Sequence, residues 1–258
     1  MVHQLRRFLL PLFVACIYIF LYLPIFIMMV FSFNKSSLGY HWTGFTLNWY
    51  RQLLGSTEIL KVLQNSLVVA FSTVLLSISM TVSIIWALFK RSHGAFSIFY
   101  ASILIPEIVI SVGLLSLFVL LKVPLGINTL IVGHTILGCG FAFPILYVRF
   151  RELDYRLIEA SLDLGANMFQ TFFKVVLPFL LPAIVSASLL VFIISLDDFL
   201  ISFFCSSSSS QTLSLYIYST IRTGVSPLVN ALSTAMFFVS SILVLIFIYL
   251  TMRFIESD

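Results

Sequence analysis

Residues 62–89, VLQNSLVVAFSTVLLSISMTVSIIWALF, contain no charged side chain and lie between Lys61 and Lys90. A bilayer core about 30 Å thick needs roughly 20 apolar residues per crossing helix, so this stretch is long enough to span. Its polar residues are uncharged Ser, Thr, Asn and Gln, which membrane helices tolerate by hydrogen bonding to their neighbours. The pattern repeats along the chain in both directions. Further stretches at 8–33, 96–121, 129–148, 179–204 and 229–252 bring the set to six, with only Glu107 interrupting the third and Asp197 and Asp198 the fifth. The expected fold is an all-α integral membrane protein of six transmembrane helices, forming one domain over residues 1–258.

Composition agrees. Of 258 residues, 60% are hydrophobic and 9% charged, and the mean hydropathy is +1.13. A soluble domain runs at about 45–50% apolar and about 25% charged, and this chain has too few charges to clothe a water-facing surface. Soluble enzymes, nucleic-acid binders and disordered chains are excluded. The net charge of +4 is spread over short loops and forms no patch. Cys16, Cys139 and Cys205 are scattered in apolar stretches, a pattern that predicts buried inert thiols and neither disulfide nor metal site.

The first stretch is far longer than the roughly 7–15 apolar residues of a signal peptide, and no small-residue cleavage pattern follows it, so a retained helix is expected. Six spans put both termini on one side. With the N-terminus inside, cytoplasmic segments hold nine basic residues (Arg6, Arg7, Lys90, Arg91, Arg149, Arg151, Arg156, Lys174, Arg253) and outer segments five (Lys35, Arg51, Lys61, Lys122, Arg222). Cytoplasmic loops carry the excess of Lys and Arg, so the reading is N-in, C-in. Trp42, Trp49 and Tyr50 in the first outer loop read as headgroup-level aromatics. The serine run Ser206–Ser210 reads as a flexible outer turn, and no internal repeat is evident.

The longest polar segment, 149–178, lies between the fourth and fifth spans. Leu153, Leu157, Ala160 and Leu164 recur at helical spacing, with Arg156, Glu159 and Asp163 on another face. Gly165 supplies a helix stop where positive φ is cheap. A second amphipathic stretch, 168–176, leads to Pro178, which can open the next helix. Helix, glycine turn, helix on the membrane face is either a lipid anchor or a docking knob for a soluble partner; the mixed charge favours docking.

Glu159-Ala160-Ser161, Gly165, Val175 and Leu177-Pro178 resemble the EAA loop of ABC-importer permeases, the permeases of binding-protein-dependent systems. The spacing agrees throughout; Ser161 stands for alanine and Val175 for isoleucine. The resemblance implies that Glu159, Ala160, Ser161, Asp163, Gly165, Leu177 and Pro178 couple to an ATPase subunit. It implies a second permease subunit in a heterodimer, two copies of a P-loop ATPase, an extracytoplasmic substrate-binding protein and a place in the bacterial cytoplasmic (inner) membrane. Further likeness runs through Ser32-Phe-Asn, Trp42-Thr-Gly-Phe-Thr-Leu-Asn-Trp-Tyr, Leu196-Asp-Asp and Gly224-Val-Ser-Pro-Leu-Val-Asn-Ala-Leu. These resemble permeases of spermidine/putrescine importers and imply a polyamine substrate. No Gly-x-x-x-x-Gly-Lys-Ser/Thr phosphate cradle is present, so no cofactor is expected on this chain; ATP and Mg would be used by the partner ATPase. His3, His41, His93 and His134 are isolated; only His134 lies in a span, where a hydrogen-bonded interior histidine is expected, and nothing suggests an enzyme.

The intramembrane acids are the candidate substrate path. Each costs about 2.5–3.5 kcal/mol at a helix centre, so three together approach about 8–10 kcal/mol, the net stability of a domain. Continuous helices would put Glu107 roughly 16 Å into its span and Asp197 and Asp198 roughly 27–28 Å along theirs. Adjacent helical residues diverge by about 100°, so one aspartate is expected to face the pathway and the other to hydrogen-bond a neighbouring helix, with the assignment open. Staggered carboxylates suit a linear polycation, and Tyr216 and Tyr218 could add cation–π contacts. Pro106 is expected to break or kink the third helix beside Glu107. The structural alternative is capping or hydration for the aspartates and neutral burial for Glu107. Two rival functions are a permease of this architecture for iron, thiamine or phosphonate, and an ion-coupled secondary transporter. Anionic solutes are disfavoured because the spans hold no Lys or Arg, and a secondary transporter has no use for the EAA-like loop.

Overall fold

The computed structural model describes residues 2–36, 41–88, 105–224 and 227–255, and the described residues are nearly all helical. The helices are α1 (Val2–Phe31), α2 (Asn48–Gly55), α3 (Thr57–Leu88), α4 (Glu107–Leu120), α5 (Ile127–Glu152), α6 (Tyr155–Asp163), α7 (Met168–Asp197), α8 (Leu200–Cys205), α9 (Leu213–Thr223) and α10 (Pro227–Ile255). Among the described residues, α1, α3, α5, α7 and α10 are long and apolar enough to cross a membrane. The expected third span is represented by α4 alone, whose 14 residues cover about 21 Å. The rest of that span, 96–104, and the expected basic pair Lys90 and Arg91 with His93 lie outside the described residues, as do Val225 and Ser226.

The chain divides into two compact units, residues 1–60 with 217–239 and residues 61–216 with 240–258. In the first, the chain leaves α1 at Ser32 and folds around Asn34, which is fully buried. Its side chain donates to the His41 carbonyl at 2.7 Å and accepts from the Thr43 N–H at 3.0 Å. Its carbonyl accepts from the Trp49 indole N–H at 2.7 Å, and Ser32 Oγ pairs with Tyr50 Oη at 2.8 Å. Phe33 stacks between Phe45 and Tyr50, with ring centroids at 5.4 and 5.3 Å. The polar ends of Trp49 and Tyr50 are thus hydrogen-bonded within this turn. Trp42 is exposed. Cys16 is also exposed, as are all of residues 11–24 of α1, which corrects the expectation of burial for that thiol.

Among its described residues, the second unit has three apolar centres. Ile78, Val82 and Ile85 of α3 pack with Ala142, Phe143 and Leu146 of α5 and Ala183, Ala187 and Val191 of α7. Close approach there requires Gly138, where a Cβ would lie 2.5 Å from Ser77 Oγ and 2.9 Å from Val191 Cγ1. A second centre joins Val69, Leu114, Phe118, Leu130, Ile201 and Cys205, from α3, α4, α5 and α8. The third, Ile158 with Val176 and Leu180, seats α6 against the start of α7. The serine run is a packed turn: Ser207 N–H donates to Ser210 Oγ at 2.8 Å, Ser210 is buried, and Asn65 donates to the Ser209 and Gln211 carbonyls at 3.4 and 3.1 Å. Asn65 supplies the anchor that composition alone conceals.

Candidate substrate cavity and coupling loop

Two helix interruptions build the site. Proline lacks an N–H and is disfavoured inside a helix; Pro106 has extended backbone (ψ 132°), and α4 starts at the next residue, Glu107. Glu107 thus sits in the first turn of α4, where a carboxylate complements the helix dipole, and not in mid-helix as continuous-helix counting suggests. The second interruption divides the expected fifth span. Helix α7 ends at Asp197, Asp198 adopts ψ 124°, and α8 starts at Leu200. The Asp198 carboxylate accepts from the backbone N–H groups of Ile201 at 3.4 Å and Ser202 at 3.0 Å, capping α8 in competition with a continued helix. The two aspartates therefore straddle a break, and the 100° helical argument does not apply to them.

Between these interruptions lies a cavity of about 540 Å³, lined in part by Pro106, Glu107, Phe141, Asp197, Asp198 and Phe199. Phe141 sits about 21 Å along the roughly 38 Å of α5, near the helix middle. No Lys or Arg is among the described lining residues. Asp197 is exposed, whereas Asp198 is 6% exposed, with His134 Nε2 3.2 Å from its Oδ2. The Glu107 carboxyl lies within interacting distance of Asp198. Glu107, Asp197 and Asp198 are thus brought together. Tyr216 is not among the lining residues. Tyr218 belongs to the other compact unit, where the Arg222 guanidinium lies over its ring at 4.8 Å. The aromatic walls are Phe141 and Phe199, which the sequence reading missed. Phe199 directly follows the acid pair, and Phe141 shares a face of α5 with His134 two turns away, which is the signal that could have found them.

The 149–178 segment begins inside α5. Arg149 holds that helix end, pairing with Glu152 at 2.9 Å and lying over the Phe179 ring at 4.3 Å. Asp154 caps α6 by accepting from the Arg156 N–H at 3.0 Å. The turn follows at Gly165, with φ +87°. There Gly165 N–H donates to the Leu162 carbonyl at 2.9 Å and Ala166 N–H to the Ser161 carbonyl at 3.1 Å. Asn167 and Gln170 form a capping box that opens α7, and Ser161 Oγ meets Thr171 Oγ1 at 3.0 Å. The seated face of α6 is that of Ile158; Leu157, Ala160 and Leu164 point away, Leu164 being 89% exposed. Glu159 and Asp163 are exposed as well. Pro178 stands in the first turn of the α-helical stretch Leu177–Asp197 of α7, as expected. It lies within α7 just after a π-helical turn, Phe172–Val176, in which bonding already departs from the i→i−4 ladder, so the missing N–H is absorbed.

Residues 59–257 match the binding-protein-dependent transport system inner membrane component family, and the chain belongs to that family of ABC-importer permeases. It is a multi-pass protein of the bacterial inner membrane. It is 36% identical over 238 residues to the spermidine/putrescine transport system permease protein PotC of Escherichia coli K12, covering 90% of each chain. It is 33% identical over 226 residues to the putrescine transport system permease protein PotI of the same strain, covering 83% of this chain and 80% of that one. In fold it is similar to a chain of a bacterial ABC transporter involved in import of the acidic polysaccharide alginate, with a TM-score of 0.71 at 15% identity, covering 97% of this chain and 95% of that one.

Proposed function

We propose that this chain is the permease subunit of an ATP-driven importer that carries spermidine or putrescine into the cytoplasm by alternating access. The observation that carries the reading is the cavity in which Glu107, Asp197 and Asp198 converge without Lys or Arg among its described lining residues. About 540 Å³ is within the range of small-molecule sites. Carboxylates give charge-assisted hydrogen bonds to ammonium groups, and the Phe141 and Phe199 faces attract cations. An anionic solute would meet only repulsion there. The names of the relatives point to the same substrates.

In this reading six helices cross the membrane with both termini inside, α4 belonging to the third. A second permease subunit completes the channel, two copies of a P-loop ATPase bind ATP and Mg beneath it, and an extracytoplasmic protein delivers the polyamine. Glu159, Ala160 and Asp163 with the exposed Leu157 and Leu164 face the ATPase. Ser161 and Gly165 hold the turn, and Leu177 and Pro178 pass its movement into α7, which runs unbroken to Asp197.

The test is ATP-dependent uptake of labelled spermidine and putrescine by vesicles holding this chain with its co-purified subunits. Glu107→Gln with Asp197→Asn is expected to impair uptake while leaving assembly with the ATPase intact. Unchanged uptake in that double variant would return the acids to a structural role.

A further inference from the structure

The side chain that spans the break between α7 and α8 comes from a different helix. His134 of α5 is 1% exposed. Its Nδ1 lies 2.8 Å from Ser195 Oγ, in the last turn of α7. Its Nε2 lies 3.2 Å from Asp198 Oδ2 and 3.4 Å from Ser202 Oγ, at and after the break. One imidazole therefore touches both sides of the interruption. A carboxylate only accepts, so Nε2 carries the hydrogen toward Asp198, and in the neutral ring Nδ1 accepts from the Ser195 hydroxyl.

Asp198 is already engaged on every side. Its carboxylate takes the Ile201 and Ser202 N–H groups and the imidazole, and its carbonyl accepts from Ser214 Oγ of α9 at 2.5 Å. A carboxylate has about four lone-pair sites, so little of this one is left for a passing cation. The adjacent Asp197 is exposed and lines the cavity.

We infer that His134 is a positioning residue for the cationic substrate: through Asp198 it fixes the break between α7 and α8, and so the direction in which Asp197 presents its carboxylate to the cavity. Asp197 and Glu107 are then the substrate-facing acids and Asp198 the anchor. This assignment rests on the proposed polyamine path and divides labour within it.

The experiment compares His134→Gln, His134→Asn and His134→Ala in the reconstituted full transporter, with uptake normalised to assembled complex. Glutamine can return a donor to the Nε2 position, whereas asparagine reaches only as far as Nδ1. His134→Asn and His134→Ala are expected to raise the KM for spermidine about tenfold with maximal rate changed less than about threefold, and His134→Gln to restore most of the affinity. The effects of His134→Ala and Asp198→Asn should not add, because both remove one unit. Equal losses in all three His134 variants, an unmoved KM, or additivity with Asp198→Asn would overturn the inference. Should His134→Ala fail to assemble, the Gln against Asn comparison decides. Normal uptake in the Glu107→Gln, Asp197→Asn variant would instead remove the polyamine path itself, an outcome distinct from a path that is lost there while the His134 variants keep their KM.

Discussion

Replacing Gly165 probes the coupling loop with a cost that can be worked from local geometry. At φ +87° a side chain is strained, yet a Cβ there would meet nothing within 4 Å, so the cost is that of backbone alone. Left-handed geometry costs an L-residue about 1–2 kcal/mol, less for asparagine, which visits that region readily. For Gly165→Ala this shifts the balance between formed and opened turn by about 5–30-fold. Gly165→Pro cannot reach positive φ and also removes the N–H that donates to Leu162 at 2.9 Å, a loss of about 3 kcal/mol or more. The assay is ATP hydrolysed per spermidine imported by reconstituted vesicles, with membrane insertion checked separately. The expected order is wild type close to Gly165→Asn, then Gly165→Ala, with Gly165→Pro inserted but uncoupled. Normal coupling in Gly165→Pro, or Gly165→Asn as defective as Gly165→Pro, would refute the reasoning.

Three further outcomes follow from the packing. Gly138→Val should destabilise the purified chain by about 1–3 kcal/mol, read as a lower thermal midpoint in detergent, because even a Cβ meets Ser77 Oγ at 2.5 Å; an unchanged midpoint would mean that α3 and α5 part readily. Leu164→Ser, at an 89% exposed position, should leave stability within about 0.5 kcal/mol and reduce co-purification of the ATPase subunit; full retention would place the contact elsewhere on the loop. Asn34→Ala removes the hydrogen bonds to the His41 carbonyl and from the Thr43 N–H, at about 0.5–1.5 kcal/mol each, and should speed proteolysis within residues 41–47, where an unchanged rate would contradict the hub assigned to Asn34.

Features set by local chemistry were legible in the sequence. Charge-free length marks α1, α3, α5, α7 and α10, Pro106 marks the start of α4, and Gly165 marks the turn after α6. What was hidden depends on residues far apart in the chain. Nothing in Leu196-Asp-Asp-Phe announces a break, because the imidazole that holds it belongs to residue 134. The serine run becomes a fixed turn only through Asn65, some 144 residues away. The helical periodicity located an apolar stripe at Leu153, Leu157, Ala160 and Leu164, of which Leu153 does pack against the Ile158 cluster, but could not say that Ile158 would be the side of α6 seated on this chain. The three acids could be named from their cost in a membrane, while their convergence on one cavity required both helix interruptions.

The most direct measurement is a structure of the assembled transporter with spermidine bound. The account predicts the polyamine in the cavity beneath Pro106, with ammonium nitrogens about 2.7–2.9 Å from the carboxylates of Glu107 and Asp197 and with His134 still joined to Asp198. Spermidine bound elsewhere along the path, with Glu107 and Asp197 facing only water or lipid, would contradict it.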